Sequence, residues 1–556
     1  GWYSLASEEW RLPLRKWVHV AATFAAEEGL HLYIDGESAG SLPISGAMKP
    51  ASGVDLRVGS LHEPAKPAHI HRDWGTLPTW WTLDGQLDEL KIYGRALPKR
   101  DITRSARSAA STEPPEMPLR RMPSGPKGPA RFGASYTELE FYEQWDDLWR
   151  VDKDPDVVVQ FDTSPVRLVF WRGLRYGPAW VSENGLWMSD QSVEAWDHDQ
   201  SGAEGCHEHM QDRHCRYSHV RIIESNPARV VVHWRYAPVS ANQNLWQPDP
   251  RTGKACWVDE YYTIYPDATG MRKVSWTTGT LGHPRQFQES LVMLQPGQYF
   301  YDLVHNPYVH VAKLEGAIES CQFVGKDLSA GEKRNWRDHY ILQRYNFKSE
   351  HKPFIIFQEG NNMWLREEGL YGPEIVAGSN HWPVGQSACD GRSIQTADRP
   401  GHVLGFPIST PPINQTGDRS WWVGFYGMGT QSVESLVEMA EAFNHPAELS
   451  LRSAGYKNHG FDPGQRAWVI ENQGKPGRAL KFVLNVDEER SLYNPAFVIR
   501  NAGASTVALK VNGEVVTFDE DCRTGLRHRL EGSDRILWLE YAGQESLELE
   551  LLPVAD

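Results

Sequence analysis

The densest cluster of side chains that could do chemistry is CHEHMQDRHCRYSHVR, residues 206–221. Its second half begins a strand-like run over residues 215–224, in which successive side chains point to opposite faces. That period predicts Cys215, Tyr217, His219 and Arg221 on one face. An imidazole, a phenol and a guanidinium would then lie together and could remove a proton, return one and neutralise an anion.

The strand that follows carries His233 and Arg235 on one of its faces. The turn between the two strands does not fix their register, and a slip of one residue would move both side chains to the opposite face. The sequence therefore leaves open whether these two groups join His219.

The same cluster has a second interpretation, a zinc site, because thiolates and imidazole nitrogens are the ligands that zinc prefers. The candidate ligands are Cys206, His207, His209, His214 and Cys215. Their spacing matches no standard zinc finger, and a disulfide between Cys206 and Cys215 would equally close the loop. His219 taken alone is also consistent with a purely structural histidine.

Three further segments, residues 170–187, 259–267 and 379–392, combine polar and aromatic side chains. Arginine binds a carboxylate or sulfate through two parallel hydrogen bonds, and tryptophan stacks on a sugar ring. The third segment is rich in Pro, Gly, Ser and Asp, which indicates a loop, where binding groups are often displayed. The candidates are Arg172, Trp180, Asn184, Tyr262, Asn380, His381 and Arg392, each of which could instead be structural.

Together these residue types supply the parts needed for β-elimination from a uronic acid. A base removes the weakly acidic C5 proton, an acid assists departure of the C4 oxygen, and cationic or amide donors stabilise the charge that develops on the carboxylate. Glycoside hydrolysis instead needs two facing carboxylates. Carboxylates for that alternative are available in Glu183, Glu194, Glu208, Glu260 and Glu289.

The elements that must position these residues are mostly β-strands. Alternating runs recur along the chain and are separated by turn signals such as Asp35-Gly36 and Asn512-Gly513. One segment around residues 433–440 has apolar residues at helical spacing and predicts a short covering helix. We therefore predict an all-β protein.

Composition limits the class of partner. The net charge of −15 argues against nucleic acid, which requires a basic face. The 23 tryptophans favour a carbohydrate ligand, although core packing explains any single tryptophan equally well. No apolar run approaches the roughly 18 residues of a membrane helix, and six cysteines are too few for a disulfide scaffold.

Residues 15–102 contain the phrases WVHVAATF, GLHLYIDG and LDGQLDELKIYGRALPKRDI. These resemble the LamG, or concanavalin A-like, jelly-roll family. The resemblance implies a two-sheet sandwich, a fold common in binding modules and in some enzymes. Such modules usually have more residues before the first of these strands, so we expect this one to be incomplete at its start.

The predicted architecture is an N-terminal LamG-like jelly roll, a large antiparallel β-sandwich catalytic domain and a small C-terminal β-sandwich. A proline-rich linker joins the first two domains. In residue numbers these are 1–103 for the jelly roll, 104–135 for the linker, 136–445 for the catalytic domain and 446–556 for the C-terminal domain.

Residues 165–405 contain RGLRYGPAWVSENGLW, CRYSHVRIIESNPARVVVHWRY, DEYYTIYPD and SNHWPVGQSACDGR, which resemble bacterial ulvan lyases. The resemblance implies eliminative cleavage of ulvan, a sulfated algal polysaccharide of rhamnose and uronic acids. It points to a site made of Asn184, Tyr217, His219, His381 and Arg392. The histidine-rich stretch between Cys206 and Cys215 departs from the family pattern, which leaves a metal or pH role there open.

The resulting hypothesis is a secreted or periplasmic polysaccharide lyase that acts on an anionic polysaccharide. His219 and either Tyr217 or Tyr262 would exchange the protons. The uronate carboxylate would be neutralised by Asn184, His381 and Arg392, and the subsites lined by Arg172, Trp180, Arg235 and Asn380. The chemistry requires no cofactor, and structural calcium or zinc stays open. The rival predictions are a glycoside hydrolase and a non-catalytic glycan-binding protein.

Overall fold

The computed structural model describes the residue ranges 16–48, 86–108, 121–123, 125–139, 155–196, 206–212, 215–240, 243–246, 248–277, 285–295, 298, 300–322, 339–364, 400–487 and 490–554, with residues 3, 5 and 12. They fall into two compact units. The described residues up to Ser108 belong to the first unit, and those from Arg121 onward belong to the second.

The first unit contains an antiparallel meander and one helix. Its elements are β1 (Val20–Ala25), β2 (Gly29–Ile34), β3 (Glu37–Leu42) and α1 (Lys99–Ser108). The predicted turn at Asp35-Gly36 joins β2 to β3, with positive φ at both residues, as a tight hairpin turn requires. Gly36 also packs tightly on the helix, since a Cβ there would lie 2.8 Å from the Cα of Thr103.

The second unit begins with an antiparallel sheet, here called sheet I. Its described strands are β4 (Gly133–Thr137), β5 (Asp156–Gln160), β6 (Arg167–Phe170), β7 (Pro178–Val181), β8 (Trp187–Trp196), β9 (Cys206–His207), β14 (Arg285–Leu294), β19 (Asn362–Trp364) and β20 (Gly401–Thr410). They pair in the order β19-β20-β14-β8-β7-β6-β5-β4, and β9 pairs with β8.

The opposing antiparallel sheet, sheet II, carries the candidate site. Its described strands are β10 (His219–Asn226), β11 (Arg229–Tyr236), β12 (Val258–Tyr265), β13 (Thr269–Thr277), β15 (Val304–Ala312), β16 (Ile318–Cys321), β17 (Leu342–Phe347), β18 (Lys352–Phe357), β21 (Asn414–Thr416) and β22 (Arg419–Gly429). They pair in the order β10-β11-β12-β13-β22-β18-β17-β15-β16, and β21 pairs with β22.

The inner faces of sheets I and II share one apolar core. The ring of Phe170 from sheet I meets that of Tyr262 from sheet II edge to face, 5.2 Å between centroids. Several tryptophans, among them Trp171, Trp234 and Trp422, are fully buried. Core packing therefore accounts for part of the tryptophan excess that the composition shows.

Two helices accompany the sandwich, α2 (Phe300–Leu303) and α3 (Val433–Asn444). The buried side of α3 packs on the outer face of sheet II, where Leu436 and Ala440 join Phe354 and Phe425 in a second apolar cluster. The hydroxyl of Ser432 caps the helix by accepting the backbone N–H of Ser435 at 3.2 Å. The covering helix predicted from apolar spacing is thereby confirmed.

A smaller β-sandwich completes the second unit. Its strands are β23 (Glu448–Leu451), β24 (Tyr456–Asp462), β25 (Ala467–Asn472), β26 (Leu480–Asn485), β27 (Leu492–Tyr493), β28 (Ala496–Arg500), β29 (Val507–Val511), β30 (Glu514–Val516), β31 (Cys522–Arg529), β32 (Gly532–Leu539), β33 (Ala542–Gly543) and β34 (Leu547–Pro553). One sheet has the order β23-β26-β34-β29-β30 and the other β24-β25-β28-β32-β31. The salt bridge between Arg523 and Asp162, 2.7 Å long, and the 2.9 Å hydrogen bond from Arg229 to Gln465 attach it to the large sandwich.

The described chain is almost entirely β-structure, which confirms the predicted fold class. The predicted domain boundaries stay predictions. Helix α1 continues to Ser108 and β4 begins at Gly133, so regular structure occupies both ends of the predicted linker, at residues 104–108 and 133–135. Of the described helices, none is long and apolar enough to cross a membrane.

Candidate functional site

The pairing of β10 with β11 settles the register that the sequence left open. His219 lies opposite Arg235, and Arg221 lies opposite His233, so all four side chains are on the outer face of sheet II. The next strand continues the row, because Arg235 lies opposite Asp259. The face thus gathers cationic and titratable groups from three neighbouring strands.

Asp259 is the centre of this cluster. Its carboxylate accepts a 2.9 Å hydrogen bond from Nε2 of His233, a 3.4 Å bond from Arg235 and a 2.6 Å bond from Arg419. Nε of Arg221 donates to Nδ1 of His233 at 3.2 Å. Because Nδ1 accepts that bond, the proton of a neutral His233 ring resides on Nε2, and both ring nitrogens are engaged.

Aromatic rings border the charged groups. The guanidinium of Arg235 lies 4.8 Å from the ring centroid of Trp257, and the ring of Tyr261 stacks on His233 at 4.6 Å. Arg235, Arg419 and Tyr261 keep 44%, 37% and 38% of their surface exposed. The name Asp259 patch is used below for the set His219, Arg221, His233, Arg235, Trp257, Asp259, Tyr261 and Arg419.

The electrostatics of the patch favour an anionic ligand. Burial opposes ionisation of Asp259, but the hydrogen bonds from His233 and Arg419 and the charges of Arg235 and Arg419 lower its pKa to about 2. The carboxylate is therefore ionised at neutral pH and shared between two guanidinium groups. Each guanidinium has five N–H donors, so donors remain for a further acceptor.

The segment before β10 differs from the predicted strand 215–224. Asp212 accepts the backbone N–H groups of Arg216 and Tyr217 at 2.9 and 2.8 Å, which holds a turn there. Cys215 has a φ of 48°, so it does not continue the strand. The prediction that Cys215 and Tyr217 share a strand face with His219 is therefore wrong, because the side chain of Asp212 competes for the backbone donors.

Tyr217 nevertheless adjoins the Asp259 patch, since its ring lies 6.3 Å from that of Trp257. Three predicted site residues, Tyr217, His219 and Arg235, are thus brought to one surface.

Asn184 lies elsewhere in the second unit. Its amide donates to the backbone carbonyl of Lys348 at 2.8 Å and its oxygen accepts from Ser182, so it ties the turn after β7 to the β17–β18 turn. Glu183 beside it accepts a 3.1 Å hydrogen bond from His351. The structure does not bring Asn184 to the Asp259 patch.

Three other predicted residues are largely enclosed. Trp180 is buried, with its ring stacked 6.1 Å from that of Phe161. Arg172 pairs with the buried Asp156 at 3.7 Å and accepts the thiol of Cys215 on its carbonyl. Tyr262 lies in the core and donates to Glu260 at 2.6 Å. None of the three side chains lies in the Asp259 patch.

Glu260 belongs to a buried polar network between the two sheets. Its carboxylate accepts hydrogen bonds from Tyr236, Tyr262 and Arg272 at 2.6–3.2 Å. Arg272 also lies 3.8 Å from Asp190, whose pKa burial raises to about 7. Of the other glutamates considered for hydrolysis, Glu194, Glu208 and Glu289 are buried as well.

The candidate metal ligands lie partly outside the described residues, which do not include His214 or the side chain of Cys206. His207 and His209 are buried, and burial lowers the pKa of His209 to about 3. The ring of His209 packs 5.0 Å from that of Trp234. In the described part of the chain, no group of three or more His, Cys, Asp or Glu side chains is arranged to hold a metal ion.

The remaining predicted residues, Asn380, His381 and Arg392, lie outside the described residues. Sequence reasoning missed Trp257, Asp259 and Arg419. Alternation in DEYYTIYPD predicts that Asp259 and Tyr261 share a face opposite Glu260, and the structure agrees. No local signal relates Arg419 to Asp259, which is 160 residues earlier.

Residues 1–103 match the family model described as the concanavalin A-like lectin/glucanases superfamily. This match confirms the LamG-like resemblance for that segment. No curated protein matches the chain. No comparison supports the resemblance of residues 165–405 to ulvan lyases, which stays a prediction.

Three solved structures are distantly similar to this chain. Galactose 1-epimerase from Lactobacillus acidophilus NCFM is 11% identical, with 53% of this chain and 98% of that chain covered and a TM-score of 0.26. A TPR-domain containing protein from Parabacteroides distasonis ATCC 8503 is 11% identical, with 56% and 54% covered and a TM-score of 0.24. A GalM/aldose epimerase homologue from C. elegans is 10% identical, with 49% and 98% covered and a TM-score of 0.23. Likenesses this low bear on neither fold nor activity.

Proposed function

We propose that the protein binds a uronic-acid-containing anionic polysaccharide, with ulvan as the first candidate, on the Asp259 patch and cleaves it by β-elimination. The observation that supports this most is the convergence of Arg235 and Arg419 on a single carboxylate, Asp259, on an exposed sheet face. Arg221 adds a third guanidinium beside them, bonded to the His233 ring that donates to Asp259. In a chain of net charge −15, such a local excess of cations marks a surface suited to an anion.

The residues of the patch suit the two halves of an acidic sugar. Guanidinium groups hydrogen-bond a carboxylate or sulfate bidentately, and Arg235 and Arg419 are both partly exposed. The rings of Trp257 and Tyr261 can cover the apolar face of a sugar ring. The match of residues 1–103 to the concanavalin A-like lectin/glucanases superfamily adds a second, independent pointer to carbohydrate.

The elimination step needs one group that takes a proton and one that gives it. In our proposal the exposed imidazole of His219 removes the C5 proton. The C5–H electrons form the C4–C5 double bond, the C4–O bond breaks, and Tyr217 protonates the departing oxygen. Arg235, directly opposite His219, neutralises the uronate carboxylate while charge develops on it.

Glycoside hydrolysis has less support from the described residues. It needs two carboxylates that face one another across the substrate. Glu194, Glu208, Glu260 and Glu289 are buried, and Glu183 accepts from His351. Non-catalytic binding is the stronger second candidate, because the binding groups lie on an open sheet face, as in a lectin.

The test is near-ultraviolet absorbance while the purified protein is incubated with ulvan, alginate, pectin or chondroitin, since elimination creates an unsaturated uronate. We expect a rise with ulvan that His219→Ala reduces at least about a hundredfold. His528→Ala, which changes an exposed histidine of the C-terminal sandwich, is the matched control and should keep full activity.

Turnover by His219→Ala equal to that of the control would remove His219 from the mechanism. New reducing ends without absorbance would establish a hydrolase. Retention of the polymer without any shortening would show that the protein binds the polymer but does not cleave it.

A further inference from the structure

A second group of basic side chains lies on the outer face of sheet II, on β15, β17 and β18. His310 lies opposite Arg344, and Arg344 lies opposite Phe354. Lys352, two residues before Phe354, points to the same face. With His305 and Lys348 nearby, these residues are called the Arg344 cluster. In the strand order, β13 and β22 separate them from the strands of the Asp259 patch that carry His219, Arg235 and Asp259.

The members of the Arg344 cluster repel one another. Burial and then the charges of Arg344 and Lys352 lower the pKa of His310. Burial and then Arg344 lower the pKa of Lys352. Burial and then Lys352 and Lys348 lower the pKa of His305. His310, Lys352 and His305 are thus close enough to neighbouring basic groups for those charges to disfavour their protonated forms.

The described surroundings compensate this charge only in part. Burial lowers the pKa of Arg344, and Glu434 counteracts that effect through its charge. Both lysines donate to neutral oxygens at 2.8 Å. Lys352 donates to the side-chain oxygen of Asn346, and Lys348 donates to the backbone carbonyl of Tyr301. Nε of Arg344 is buried and has no hydrogen-bond partner among the described residues.

A buried guanidinium donor without an acceptor is costly, because the group has lost its water and gained nothing in return. A ligand oxygen that accepted a hydrogen bond from Nε of Arg344 would recover this lost free energy. The first turn of α3 adds to the attraction. Glu434, in that turn, interacts electrostatically with both His310 and Arg344, so the positive end of the helix is near them.

We propose that the Arg344 cluster is a binding site for an oxyanion, specifically a sulfate group, with Arg344 and Lys352 as its principal donors. The site is separate from the Asp259 patch and its existence does not depend on the proposed lyase activity. A sulfate offers several acceptor oxygens, which suits a guanidinium and an ammonium that approach from neighbouring strands.

The experiment is calorimetric titration of the full chain with sodium sulfate, against sodium chloride of equal ionic strength, together with thermal unfolding in the same buffers. We expect sulfate, but not chloride, to bind and to raise the Tm. Arg344→Gln should weaken sulfate binding about tenfold or more, as expected for loss of a charge-assisted hydrogen bond. Arg452→Gln, which removes an equal charge from an exposed position, should bind sulfate as the wild type does.

Arg344→Gln should also unfold in chloride at a Tm no lower than that of the wild type, because the substitution removes a half-buried cation whose buried Nε has no acceptor among the described residues. Lys352→Gln gives a second variant that should weaken sulfate binding. Near-ultraviolet circular dichroism checks that both variants keep the native packing.

Two results would overturn the site. One is sulfate stabilisation that Arg344→Gln and Lys352→Gln retain in full. The other is sulfate stabilisation that Arg235→Gln abolishes and Arg344→Gln does not, since it would assign the ion to the Asp259 patch. A parallel titration with a sulfated glycan identifies the source of the sulfate. Binding that depends on Arg344 supports the site, whether the sulfate is the free ion or part of the glycan. If neither form of sulfate binds in a way that depends on Arg344, the site is refuted.

Discussion

Asp259 and Glu260 are neighbours on β12, and each is surrounded by arginine and aromatic side chains, yet they belong to different environments. Asp259 faces outward and meets His233, Arg235 and Arg419, two of them partly exposed. Glu260 faces inward and is completely buried with Arg272. The same kinds of residues therefore form a solvent-accessible surface on one side of the sheet and an internal support on the other.

Residue type alone therefore does not identify a site in a β-sandwich. The buried cluster holds the more perturbed groups, such as Asp190 with a pKa raised by burial to about 7. Its carboxylates and guanidinium satisfy each other between the two sheets, which makes the network a part of the core. The exposed cluster is less perturbed but has donors left for a ligand.

The largest effect that would test this contrast comes from Glu260→Gln. The substitution leaves the fully buried Arg272 with Asp190, 3.8 Å away, as its remaining carboxylate. Breaking a buried pair in this way costs about 3–5 kcal/mol. Unfolding in guanidinium chloride, monitored by tryptophan fluorescence, measures the loss of unfolding free energy. A loss below about 1 kcal/mol would show that Glu260 does not support the core.

Asp259→Asn should cost less and should show a particular pH dependence. The folded pKa of about 2 is below the ordinary value of 3.8, so the carboxylate stabilises the fold above about pH 4. That contribution, about 2 kcal/mol at most, is lost as pH falls from about 4 through about 2. Unfolding free energies measured along this range should converge for wild type and variant at the acidic end. A constant difference would assign the effect to packing.

The smallest effect on stability, and the most specific effect on binding, is expected from Arg235→Gln. The side chain is 44% exposed, so the unfolding free energy should change by no more than about 0.5 kcal/mol. Retardation in gels that contain ulvan should fall several-fold, because one contact to the anionic polymer is lost. Lys481→Gln, at an exposed ion pair in the C-terminal sandwich, is the control. Equal retardation of the two variants would show that Arg235, and with it the Asp259 patch, does not bind the polymer.

Much of the fold and part of the site follow from local patterns. Period-two alternation correctly predicts that Tyr261 faces away from Glu260 and Tyr262, and helical spacing predicts α3. The strand predicted over residues 215–224 begins later, at His219, because Asp212 takes the backbone donors of Arg216 and Tyr217. Such competition by a side chain leaves no period in the sequence.

Local patterns in the sequence predict the all-β character and the alternation of faces within each strand, and the composition favours a glycan. The sequence could not determine which strands are neighbours, because pairing depends on hydrogen bonds between segments far apart in the chain. Register placed His219 opposite Arg235, and the pairing of β13 with β22 brought Arg419 to Asp259. In the tertiary structure Trp180 packs in the core and Asn184 bonds to the β17–β18 turn. Packing and long-range hydrogen bonds thus override the binding roles that residue type indicates.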